Sequence, residues 1–75
     1  MALTRKQKTN TIAIMRELGE FNVLNLAMFY DTRHGQRINQ RELEQFMDEL
    51  LQKEEIRISR EGMFTRFAWC GPKWK

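Results

Sequence analysis

Arg57, Arg60 and Arg66 lie within one C-terminal segment of the chain. Guanidinium groups at that density can hold phosphate oxygens, because each carries a permanent charge and a planar fork of donors. The same side chains could instead solubilise a small domain and guard strand edges against unwanted pairing, so both roles stand at this point. Arg33 and Arg37 add cations in the middle of the chain, and Arg5, Lys6 and Lys8 add more near its start. Acid gathers instead from Glu42 to Glu55. The formal net charge of +3 leans toward anionic partners through long-range attraction.

Other chemistries are poorly provided for. The single His34 and the single Cys70 lack the paired ligands of a four-coordinate metal centre, so no metal is expected. His34, beside Gly35, reads as a solvated helix-end residue whose positive form would suit the helix dipole. Cys70 has no partner for an internal disulfide, which fits a reducing, cytoplasmic compartment, and it is expected as a buried thiol. There is no glycine-rich phosphate loop and no nucleophile motif, and the carboxylates follow the spacing of helix surfaces. The sequence therefore predicts a non-enzymatic protein without a cofactor. Its longest apolar stretch is far below the roughly 20 residues that cross a bilayer, and its N-terminus has no apolar signal segment, so neither insertion nor export is expected.

The elements that must position these residues are read from periodicity. At 75 residues there is room for one domain, with frayed ends expected at about 1–4 and 72–75. Thr4 and Gln7 have the spacing of a capping box, which predicts a helix over 5–18 stopped by Gly19. Asn22 can cap a second helix over 23–33, in which Val23, Leu26, Ala27 and Tyr30 form one apolar stripe and Gly35 fits the end. Leu24 and Phe29 fall off that stripe. A dimer contact through this helix would explain them.

Asn39 and Glu42 predict the start of a third helix over 40–54, with Ile38 and Leu43 placed as a hydrophobic staple. Leu43, Phe46, Met47, Leu50 and Leu51 then share one face, while Arg41, Glu44, Gln45, Asp48, Glu49, Gln52 and Lys53 occupy the other. After Glu55 the period becomes two, predicting a two-stranded hairpin over 56–60 and 63–69 that turns at Arg60-Glu61-Gly62. Leu43, Phe46, Leu50, Ile14, Leu18, Leu26, Ile56 and Phe67 form the expected core. Phe67 and Trp69 could stack on bases, but closing the core is the commoner duty of aromatics on such a strand. Trp74, in a Lys-Trp-Lys tail beyond Pro72, could equally anchor a partner or be disordered.

Three helices followed by a hairpin resemble the winged helix-turn-helix superfamily, in a small bacterial or phage form. The resemblance covers most of the chain and rests on the run Leu43-Glu44-Gln45-Phe46-Met47-Asp48-Glu49-Leu50-Leu51-Gln52-Lys53-Glu54-Glu55-Ile56, similar to a recognition helix leading into a first wing strand. Arg60-Glu61-Gly62 is similar to a wing tip, and Ala27 to the small residue that lets the second and third helices cross closely. The implied architecture is α+β, a three-helix winged helix-turn-helix with a C-terminal two-stranded wing. The implied function is double-stranded DNA binding, as a transcription or recombination accessory factor. Gln40, Arg41, Glu44 and Gln45 would face bases, and Arg33, Arg37, Arg57, Arg60 and Arg66 would meet phosphates.

Two features depart from that pattern. The segment from Arg33 to Ile38 exceeds the usual three- to four-residue turn. Glu44, Asp48 and Glu49 make the exposed face of the third helix partly anionic, which repels phosphates. The alternative is a protein-binding winged-helix adaptor or inhibitor acting through that acidic face or through the Leu24/Phe29 surface.

Overall fold

Thr4 opens the first helix with a reciprocal pair of hydrogen bonds: the Gln7 amide donates to its hydroxyl at 3.1 Å, and its own amide donates to Gln7 Oε1 at 3.0 Å. The computed structural model, which describes residues 3–71, runs α1 over Arg5–Leu18, β1 over Glu20–Phe21, α2 over Val23–His34, α3 over Gln40–Gln52, β2 over Ile56–Arg60 and β3 over Arg66–Trp69. The class is α+β, with three helices and one antiparallel sheet in the order β1-β3-β2.

The sheet has three strands, not the two expected. Glu20 and Phe21 pair with Ala68 and Phe67, and the Trp69 amide donates to Gly19 O at 2.8 Å. Gly19, at φ 78°, ends α1 and turns the chain straight into this short strand. A positive φ of that size favours glycine because it has no Cβ to clash. The partner strand is also shorter than expected. It begins at Arg66 instead of residue 63, so the connection from β2 spans residues 61–65.

Burial follows the helical periodicities. Leu43, Phe46, Met47 and Leu50 of α3 meet Ile14 and Met15 of α1, Leu26 and Tyr30 of α2, Phe21 of β1 and Ile56 of β2 in one core. Leu18 and Phe67, expected inside, are half-buried against its margin: Leu18 is the last residue of α1, and Phe67 borders an open cleft beside the β2–β3 connection. Leu3 reaches into this core at 5% exposure, and Thr4 caps α1, so the described part of the expected frayed end is tied down. The tail at residues 72–75 lies outside the described residues.

The α2–α3 connection is held at both ends. Gly35 takes the left-handed conformation at φ 61° and closes α2 one residue later than expected. Ile38 is buried, and Asn39 Oδ1 accepts the Glu42 amide at 3.1 Å to start α3. Helix α3 stops at Gln52, two residues short of the expected end, as Glu54 adopts φ 61° and the amides of Glu54 and Glu55 turn back onto Leu51 O and Leu50 O. Glycine usually takes that left-handed position. With glutamate there instead, the sequence carried no stop signal. Among the described residues, no helix is long and apolar enough to cross a membrane.

Candidate functional site

The register of the sheet decides where the three hairpin arginines go. Directly opposite residues of an antiparallel pair share a face, as do residues two apart on one strand. Arg57 lies opposite Ala68, Ala68 is two residues from Arg66, and Arg66 lies opposite Arg60. All three arginines therefore share the outer face of the sheet. In an unbroken strand Arg57 and Arg60, three apart, would face opposite ways. The register irregularity between Ile58 and Arg60 brings them together, an extra residue reversing the alternation as β-bulges do. The opposite face carries Ile56, Phe67, Trp69 and Phe21, and is packed on the core. Phe67 and Trp69 thus have core duty rather than open stacking faces.

The outer face is strongly basic. Arg57, Arg60 and Arg66 are exposed, and β1 brings Glu20 to the same face, with its carboxylate 3.9 Å from Arg66 Nη1. Glu20, Ser59, Arg60 and Arg66 outline a hollow of about 400 Å³. Like charges directly across a strand pair repel, and a single Glu20 carboxylate beside Arg66 offsets that repulsion only in part, so a further anion would stabilise the Arg60–Arg66 juxtaposition.

Arg33 is placed elsewhere. It donates from both terminal nitrogens to the Glu17 carboxylate at 2.7 and 3.1 Å, joining α2 to α1. This hydrogen-bonded contact, with the charge attraction behind it, holds the Glu17 carboxyl below the usual carboxylate range and pushes the Arg33 guanidinium up. Arg37, on the α2–α3 connection, remains exposed and shares a shallow hollow with Asp31, Met28 and Gln40.

The residues expected to face bases divide around α3. At 100° per residue, Arg41 and Gln45 lie opposite the buried row and point to solvent. Gln40 and Glu44 fall on one flank with Asp48, where they line a cleft of about 440 Å³ against Leu24 of α2 and Met63 and Phe64 of the β2–β3 connection. Glu49 falls on the other flank, 3.9 Å from Lys8 of α1, whose ammonium also lies 5.5 Å from the Phe46 ring centroid.

The period-two pattern places Met63 and Phe64 on the return strand, yet they precede it and are 93% and 61% exposed. A signal was present: two consecutive bulky apolar residues cannot both face inward on a period-two strand. Cys70 is exposed, not buried as expected, since it follows the last residue of β3 and its backbone turns back to Glu55 O. His34 ends α2 with its ring centroid 4.6 Å from that of Tyr30. Among the described residues, no three His, Cys, Asp or Glu side chains converge as a metal site would require. Comparison with protein-family models, with curated proteins and with solved structures finds no match to this chain.

Proposed function

We propose that the protein is a non-enzymatic winged helix-turn-helix module that binds double-stranded DNA, with the outer sheet face of Arg57, Arg60 and Arg66 as its main phosphate contact. The observation that carries this reading is the strand irregularity that aligns the three arginines on one face and sets Arg60 directly against Arg66. Phosphates would relieve that repulsion, and displacement of their condensed counterions would drive binding. Two helices joined by a turn, a third amphipathic helix and an antiparallel hairpin support the winged-helix resemblance.

The exposed start of α3 supplies the groups that could add base discrimination. Arg41 and Gln45 have side chains suited to guanine and adenine edges, whereas Gln40 lies on the flank that lines the cleft. Glu44 belongs to the cleft flank instead, and Arg33 is engaged by Glu17, so neither is assigned a DNA contact. The reading places the chain among transcription or recombination accessory factors of the cytoplasm, where an exposed free thiol such as Cys70 is kept reduced.

Fluorescence anisotropy with a labelled mixed-sequence duplex tests the proposal. The expected result is binding with Kd on the order of 10⁻⁴–10⁻⁶ M at physiological salt, tightening steeply as salt is lowered. Absence of salt-sensitive binding to any duplex in a low-salt titration carried to protein concentrations above about 10⁻⁴ M would overturn it.

A further inference from the structure

The cleft between α3 and the β2–β3 connection differs in character from the arginine face. Its polar flank is acidic, with Glu44 and Asp48 one helical turn apart. Its other walls are apolar and open: Leu24 is 46% exposed, Met63 93% and Phe64 61%. Among the described residues, no lysine, arginine or histidine lines it. Carboxylates four residues apart on a helix repel each other, and a surface that exposes three large apolar side chains around them is unusual for one meeting only water.

We propose that this cleft docks a cationic peptide segment of a protein partner, one that carries lysine or arginine beside a bulky apolar side chain. The basic groups meet Glu44 and Asp48, and the apolar anchor enters between Leu24, Phe64 and Met63. Charge complementarity selects this occupant. A DNA backbone would bring phosphates against the two carboxylates, whereas a basic segment relieves their mutual repulsion. Flexible methionine and exposed aromatic side chains suit such an apolar anchor, since they adapt to its shape and concentrate interface energy. Glu49 takes no part, because it lies on the opposite flank of α3 beside Lys8. The proposal does not depend on DNA binding by the sheet face.

The test uses the intact chain, isotopically labelled for backbone amide spectra. It is titrated with a synthetic peptide combining lysines with leucine and tryptophan, and with a counterpart carrying glutamates in place of the lysines. The lysine peptide is expected to shift the amides of Leu24, Glu44, Asp48, Met63 and Phe64, and the glutamate peptide to leave them unmoved. The paired substitution Glu44→Gln with Asp48→Asn should weaken the lysine peptide by roughly tenfold, and Phe64→Ser by a similar factor. Both variants alter exposed side chains, and retained amide dispersion verifies their folding. Equal affinity of wild type and variants would overturn the proposal. So would shifts confined to Met28 and Phe29 that depend on protein concentration, which would mark self-association through α2. Loss of duplex affinity in Phe64→Ser without change in peptide binding would also overturn it, assigning the loop to DNA.

Discussion

Arg33 and Arg60 have the same side chain and opposite surroundings. Arg33 makes a two-pronged contact with Glu17, while Arg60 faces another arginine across the sheet. If phosphates contact the sheet face, the two must respond differently. Arg33→Gln should leave the salt dependence of duplex binding unchanged, and Arg60→Gln should lower its slope by about 1, as one lost phosphate contact does. Arg33→Gln has its own signature. The Glu17 carboxyl, depressed first by the hydrogen bond and then by the charge of Arg33, should titrate below the ordinary carboxylate range in the wild type and return toward it in the variant. Because its folded value lies below its unfolded one, the contact contributes stability above the ordinary carboxylate range. That contribution is lost as pH falls through the depressed value. Both groups are exposed, so added salt should shrink the difference. Side-chain carbonyl spectra across an acid titration check both statements.

At the scale of elements, β1 shows where local pattern stops being informative. A strand of two residues has no alternation to detect, and Glu20-Phe21 between two helices reads as a turn. Only tertiary pairing with β3 makes it a strand, and Phe21, fully buried with its ring centroid 6.3 Å from that of Phe67, fastens it to the core. Phe21→Ala should therefore destabilise the fold by about 3–5 kcal/mol, measured by urea unfolding. A loss below about 1 kcal/mol would mean that β1 is peripheral. The helices were legible because capping and periodicity are local: Thr4 with Gln7, Asn22, Asn39, and the apolar row of α3 all stand where the residue types place them. Asn39→Ala should cost about 1 kcal/mol through loss of the bond to the Glu42 amide. The arginine cluster was legible as composition, but not as a face. Sequence spacing alone puts Arg57 and Arg60 on opposite sides, and only the irregularity after Ile58 reverses that. The cleft was half legible, since Glu44, Asp48 and Leu24 stood out, while Met63 and Phe64 were hidden by a strand assigned too long.

Across the whole molecule, the separation of charge gives each surface a distinct preference. The outer sheet face sets three guanidinium groups against the Glu20 carboxylate, and the cleft beside α3 sets two carboxylates among apolar side chains. A net charge of +3 is modest, so its placement matters more than its size for steering a polyanion. The most direct test of the account is the salt dependence of duplex affinity for the wild type beside the variant in which Arg57, Arg60 and Arg66 are all glutamine. A logarithmic slope that falls by about 3 in the variant, with the helical signal unchanged, is the predicted result. An unchanged slope in a folded variant would contradict the claim that this face holds phosphates.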